Sequence, residues 1–302
     1  MPAKPLLKWA GGKRQLLPQL RPFYPADFGR YIEPFVGSGA VFFDLHNSGR
    51  LRGKEAVLID SNADLIGCYQ AVRDTPDEVG RALDELAAGH ARDPRGHYYE
   101  VRDGQFNPRR ARIRESGGTG AYSADLAAMF IYLNRTGFNG LFRVNAKGQF
   151  NVPAGRYEKP RIADRERLLN AAAALRESGV RLVTGSFERA LDFAAPGDFL
   201  YLDPPYAPLS ATARFTSYTR ESFGTHDQQR LQRVVVDLVH RGCRVVLSNS
   251  TAKEIERLYD ANAEARAAGL RAHRASARRS VNSNARRRGP VPEYLITNIH
   301  IS

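Results

Sequence analysis

The stretch DFLYLDPPYAP, residues 198–208, limits the architecture more than any other part of the chain. Its apolar run reads as a strand, and two successive prolines end it abruptly, since each fixes φ and removes a backbone donor. Asp203 stands where the strand stops and is held extended by the proline after it. Two further runs follow the same plan: RYIEPF (30–35) leads into a glycine turn, and AVLID (56–60) ends on an acid. A fourth, CRVVLSN (243–249), follows HDQQRLQRVVVDLVHRG, whose apolar residues recur at helical spacing until Gly242. Strands alternating with helices predict an α/β fold, doubly wound about a mostly parallel sheet, with its site at the strands' carboxyl ends. YLITNIHIS is expected to close the chain as an edge or hairpin strand.

Between roughly residues 67 and 163 the pattern changes. Charged helical sequence gives way to a glycine-rich loop, RESGGTGAYS, and then to LFRV and QFNV flanking NAKG, which reads as a β-hairpin. The expected division is therefore an α/β domain from 1–66 and 164–302, with 67–163 inserted outside its sheet. Seven arginines lie between Arg271 and Arg288; this stretch is either a solvated loop or a phosphate-binding segment using hydroxyls such as Ser280 and Ser283.

Composition narrows the partners. A net charge of +13 points to a polyanion, nucleic acid first, although an arginine bias of this kind also follows from GC-rich coding. No apolar run reaches the roughly 18 residues of a membrane span. The N-terminus lacks the apolar core of a signal peptide, so a cytoplasmic protein is expected. Cys68 and Cys243 are isolated from each other and from histidine clusters, so neither a metal site nor a disulfide is expected.

Three features carry chemistry. Gly37 and Gly39 follow a strand, where a turn lets the backbone approach a cofactor closely. Asp60 ends the next strand 23 positions after Gly37, a place suited to accepting ribose hydroxyls from an adenosine cofactor. The third is Asp-Pro-Pro-Tyr. An exocyclic aromatic amine has its lone pair delocalised into the ring and is a poor nucleophile. Two acceptors on its hydrogens, the Asp203 carboxylate and the Pro204 carbonyl, would draw it toward tetrahedral geometry while Tyr206 stacks on the base. A base reaches such a ledge only by leaving the duplex. The plainer alternative is a turn with Asp203 as a helix cap.

LLKWAGGK (6–13), EPFVGSGAVFF (33–43), LIDSN (58–62), YLNRTGFNGLFR (132–143), FNVPAGRY (150–157) and YLDPPYAPLSATARFTSY (201–218) stand in an order that resembles the Dam-type, D12-class alpha-group DNA adenine-N6 methyltransferases. RRSVNSN (278–284) extends the likeness. The resemblance implies a class I S-adenosylmethionine-dependent methyltransferase fold acting on adenine in double-stranded DNA, commonly within GATC, by base flipping and direct in-line transfer. It implies Asp203, Pro204 and Tyr206 as catalytic residues. Trp9, Lys13, Phe35, Gly37, Gly39, Asp60 and Asp203 would serve the cofactor, with Lys13 on its carboxylate. Phe138, Asn139, Leu141, Arg143, Pro153, Arg156, Arg279 and Ser280 would face DNA, Arg143 pairing with guanine. On residues alone, Trp9, Phe138 and Leu141 are also explained by packing, and Arg143 and Arg156 by phosphate contact. A cognate restriction endonuclease is a further implied partner. An RNA or protein amide methyltransferase, or a catalytically silent DNA-binding regulator on the same scaffold, are the alternatives.

Overall fold

The computed structural model describes residues 2–9, 11–115, 122–177, 179–208, 223–278 and 290–300. Two units make up the chain, Met1–Gly12, Gly37–Asn47 and Asn62–Glu177 in the first, and Lys13–Val36, Ser48–Ser61 and Ser178–Ser302 in the second. The first unit therefore takes in more chain than the 67–163 region expected from the sequence.

The first unit is helical: α1 (Ala40–Asn47), α2 (Ala63–Asp74), α3 (Pro76–Arg92), α4 (Asn107–Glu115), α5 (Ala124–Thr136) and α6 (Arg165–Arg176). Helix α3 begins at Pro76, carries Asp77 and Glu78 in its first turn and His90 and Arg92 in its last, as the helix dipole favours. Its Val79, Leu83 and Leu86 form one buried stripe. Helix α5 is capped by the Ser123 hydroxyl, buried from Leu126 to Thr136, and packed on α2 and α3. A π-helical stretch, Glu100–Phe106, leads into α4.

The expected hairpin is present as an antiparallel bridge between Val144 and Phe150, closed by Asn145 N–H donating to the Gln149 carbonyl at 2.9 Å. Two side chains of α4 tie it down. Asn107 both donates to and accepts from the Phe150 backbone, at 3.0 and 2.8 Å. Arg110, almost fully buried, makes a two-pronged pair with Asp64 at 2.8 and 2.6 Å and donates to the Gly148 carbonyl at 2.9 Å.

The second unit contains a seven-stranded, mostly parallel sheet: β1 (Tyr31–Glu33), β2 (Ala56–Asp60), β3 (Val180–Thr184), β4 (Phe199–Leu202), β5 (Arg244–Ser250), β6 (Arg271–Arg278) and β7 (Pro290–Thr297), in the order β3-β2-β1-β4-β5-β7-β6. The first five strands in that order are parallel, and β7 runs antiparallel to both β5 and β6. This is the class I S-adenosylmethionine-dependent methyltransferase fold. Register places Val57, Ile32, Leu200 and Val245 side by side across four strands, on the face covered by Leu231, Val235 and Leu238 of α7 (Thr225–His240). Each such side chain contributes about 1.5–3 kcal/mol by leaving water. On the other face Tyr31 and Phe199 meet Tyr24 and Phe28, with rings 5.6–5.9 Å apart.

The C-terminal strand is a hairpin strand paired with β6, one of the two forms expected. The arginine stretch begins as β6, so Arg271 and Arg274 belong to the sheet and not to a solvated loop, while Arg279, Ser280 and Ser283 lie outside the described residues. Both cysteines are buried and free. Among the described residues no helix is long and apolar enough to cross a membrane, and no cluster of His, Cys, Asp and Glu could hold a metal ion.

Candidate active site

In the second unit, β1 connects onward to β2 and β4 onward to β5, so the winding order reverses between two neighbouring strands. Crevices form at the carboxyl ends of strands at such a point. Phe35, Asp60 and Asp203 all lie at that edge, following β1, ending β2 and following β4.

Asp203 does not cap a helix. The ammonium of Lys13, itself only 7% exposed, sits 3.0 Å from Asp203 Oδ1 and 3.9 Å from Glu293 Oε2 of β7. The same ammonium lies 4.4 Å from the centroid of the Tyr206 ring, and the Tyr206 hydroxyl donates to Glu293 Oε2 at 2.7 Å. Burial pushes the Asp203 carboxyl up to about 6; Lys13 opposes the rise and the Glu293 charge adds to it. Burial, with both carboxylates nearby, pushes the Tyr206 hydroxyl well above its ordinary range, so it remains a donor.

Beneath this ledge runs a polar relay. Pro204 and Pro205 have no N–H, but their carbonyls still need partners. Gln228 Nε2 donates to the Pro205 carbonyl at 2.9 Å, and Asn249 Nδ2 donates to Gln228 Oε1 at 3.1 Å. Asn249 Oδ1 accepts from the Ala207 and Ser250 amides, and the Ser250 hydroxyl donates to the Ala207 carbonyl at 2.7 Å. Gln228, Asn249 and Ser250 are all buried. Phe35 stacks on Phe187 at 5.5 Å and meets the edge of Phe223 at 5.8 Å.

In the first unit, Trp9 packs among Phe130 and Phe142, its ring nearly parallel to Phe142 at 6.2 Å. Gly37, at φ +47°, lies under the indole: a Cβ there would stand 2.8 Å from Trp9 Cδ1. Only glycine fits both the dihedral and the space. The segment carrying Trp9 is clamped by Asn134 of α5, whose amide accepts from Lys8 N–H at 2.8 Å and donates to the carbonyls of Lys8 and Gly140 at 2.7 and 2.9 Å. Arg135 donates to the carbonyls of Arg161, Ile162 and Leu6, and burial lowers its pKa to about 10.

Six of the eight residues expected to face DNA, Phe138, Asn139, Leu141, Arg143, Pro153 and Arg156, belong to this unit. Phe138 is 50% exposed and its N–H donates to the Pro153 carbonyl at 2.9 Å, which brings the two segments together. Asn139 is exposed at φ +54°, a conformation asparagine tolerates. Arg143 is exposed, with Nε donating to Asn151 Oδ1 at 2.8 Å, while Leu141 is half-buried and Arg156 exposed. Lys8, Lys147 and Lys159 add exposed positive charge, and the Lys8 ammonium lies 4.0 Å from the ring centroid of the exposed Tyr157.

The family model for D12 class N6 adenine-specific DNA methyltransferases matches residues 9–275. The chain is similar to the type II methyltransferase M1.LlaDCHI of Lactococcus lactis subsp. cremoris, 38% identical with 98% of this chain and 95% of that protein covered. It is also similar to the type II methyltransferase M.MjaIII of Methanocaldococcus jannaschii, at 37% over 99% and 100%. The DNA adenine methylase of Escherichia coli K12 is 35% identical over 96% and 93%. The chain belongs to the D12 class of adenine-specific DNA methyltransferases. It is an enzyme that methylates adenine N6 in DNA, with S-adenosylmethionine as the donor. Within the second unit the chemistry of the groups present suits that donor: an acid ending β2, a buried ammonium and the aromatic ring of Phe35.

Glu293, Gln228, Asn249, Asn134, Arg135, Asn107 and Arg110 were not found by sequence reasoning. Gln228 stands within the amphipathic stretch and Asn249 at the end of CRVVLSN, where nothing in the sequence marks either as buried. Asn134 and Arg135 stand within the matched YLNRTGFNGLFR stretch, and that position was the available signal.

Proposed function

We propose that this D12-class enzyme methylates adenine within GATC in duplex DNA, receiving the base on the Asp203–Tyr206 ledge after it has flipped out of the stack. The observation carrying this reading is the ledge itself: a largely buried carboxylate at the end of β4, followed by two prolines and a ring whose hydroxyl is anchored. Asp203 and the Pro204 carbonyl accept from the target amine and orient its lone pair. Tyr206 stacks on the base. The cofactor supplies an electrophilic methyl, and transfer is direct and in line, so the protein's contribution is mostly positioning.

Trp9, Lys13, Phe35, Gly37, Gly39, Asp60 and Asp203 are the proposed cofactor residues, Lys13 leaving Asp203 for the cofactor's carboxylate. Residues 67–163 form the proposed recognition region, in which Phe138 stacks at the target and Arg143 pairs with guanine. Asn139, Leu141, Pro153 and Arg156 line the same face, and Arg279 and Ser280 complete the proposed DNA contacts. The cytoplasm is the proposed compartment, and a restriction endonuclease acting on the same site the proposed partner, a reading supported by relatives named type II methyltransferases.

The test is transfer of labelled methyl to a GATC duplex, a scrambled duplex and a structured RNA, with Asp203→Ala alongside. Label confined to the GATC adenine, and lost in the variant, is expected. Equal label in both duplexes would overturn the GATC assignment, and full activity in Asp203→Ala would overturn the ledge.

A further inference from the structure

Glu293 is a carboxylate only 6% exposed, on the strand next to β5, within reach of the ammonium that also holds Asp203. Burying one unpaired carboxylate is expensive, and placing a second beside it is worse. A site built for stability alone would do as well with apolar side chains. What Glu293 touches gives it a task. In the β5–β7 register it lies opposite Ser250, whose hydroxyl holds the Ala207 carbonyl. Its own Oε2 holds the Tyr206 hydroxyl. Tyr206 is thus fixed from both ends, at the tip of its ring and at the backbone of the next residue, by partners side by side on two paired strands.

We propose that Glu293 is a positioning residue for methyl transfer: it locks the Tyr206 ring in its stacking pose and shares Lys13 with Asp203. This inference rests on reading Asp203 and Tyr206 as the ledge that receives adenine. Glu293 touches no reacting atom and acts through Tyr206 and Lys13. Among the described residues, the groups facing Asp203 are Lys13 from the N-terminal turn, Glu293 from β7, Tyr201 from β4 and Tyr206 from its own loop. Removing the Glu293 charge takes away a repulsion that raises Asp203 and shifts the acid limb of activity to lower pH.

The experiment measures kcat, KM for duplex DNA and the pH profile of kcat/KM for Glu293→Leu, Glu293→Gln, Tyr206→Phe, the Glu293→Leu/Tyr206→Phe pair and Asp203→Ala. Glu293→Leu should lower kcat by roughly 10- to 100-fold with little change in KM. Glu293→Gln, which keeps an acceptor for the Tyr206 hydroxyl, should recover much of kcat while retaining the displaced acid limb. The paired variant should be no worse than its more damaging single member. Near-normal kcat in Glu293→Leu with an unmoved limb would overturn the proposal, as would losses that add in full to those of Tyr206→Phe. Should Glu293→Leu fail to fold, the limb of Glu293→Gln decides the matter alone. Turnover surviving in Asp203→Ala would instead bring down the ledge reading on which the proposal stands.

Discussion

Replacing Gly37 by alanine tests whether the glycine turn and the indole form one fitted unit. At φ +47° the alanine pays the left-handed backbone penalty, about 1–2 kcal/mol. Its Cβ would also stand 2.8 Å from Trp9 Cδ1 and 3.1 Å from Nε1, so the ring must retreat by about 1 Å to reach ordinary contact near 3.5–4.0 Å. Turning the indole off its rotamer costs about 0.5–1.5 kcal/mol, and loosening its stack on Phe142 a similar amount. The total is about 2–5 kcal/mol. Gly49→Ala is the matched control, since Gly49 has φ +73° and nothing within 4 Å of a built Cβ, leaving the backbone penalty alone. Trp9 is the chain's single tryptophan, so its fluorescence reports the displacement without interference. Urea unfolding should separate the two variants by about 1–3 kcal/mol. Only Gly37→Ala should change the emission spectrum and weaken its response to S-adenosylmethionine. Equal stabilities and a native emission spectrum in Gly37→Ala would refute the reasoning.

Asp203, with its carboxyl pushed up to about 6, should set the acid limb of kcat/KM. Activity is held above that value, where the carboxylate accepts from the amine, and falls as pH drops through it; a limb near 4 would contradict the buried environment. Asn134→Ala removes three hydrogen bonds to the backbone of Lys8 and Gly140, worth about 1 kcal/mol each, and denaturant titration should show a loss of about 3 kcal/mol. Arg110→Ala removes the two-pronged pair to the partly buried Asp64 carboxylate and should destabilise by about 1.5–3 kcal/mol, measured the same way. Arg143→Ala should relax discrimination at one base pair by about 1–3 kcal/mol in competition assays, whereas uniform weakening with a shallower salt slope would assign it to phosphate.

The sheet was legible where strands are short, apolar and abruptly ended. AVLID matches β2 residue for residue, and the proline pair and Gly242 mark their boundaries within a residue or two. β3 was missed because Val180–Thr184 pairs along one side only and breaks the polar–apolar alternation at Leu182 and Val183, too weak a signal over five positions. The arginines of β6 read as a solvated loop or a phosphate-binding segment, and not as a strand, because charge on an outer strand looks the same as charge on a loop. Asp203, Tyr206 and Lys13 were legible as separate motifs and meet as an ion pair and a ring contact in the second unit. Glu293 was not, because nothing in VPEYLIT marks one glutamate as buried; only the pairing of β7 with β5 turns it inward.

The buried polar residues obey one physical rule. The functional side chains sit on loops, and a loop drawn into the interior brings backbone groups that neither a ladder nor water can satisfy. Asn134 serves the backbone of Lys8 and Gly140, Asn107 that of Phe150, Arg110 that of Gly148, and Gln228 and Asn249 that of Pro205 and Ala207. Each such side chain sets the position of a loop to within hydrogen-bond tolerance, and methyl transfer depends on alignment at that scale. It follows that substitutions at Gln228 or Asn249, remote from any reacting atom, should lower kcat with little effect on DNA affinity. Shape-matched apolar replacement cannot rescue them, because the stranded carbonyl of Pro205 or amide of Ala207 would still lack a partner. On the proposed reading of the ledge, Gln228 and Asn249 beneath it matter to transfer as much as Asp203 above it.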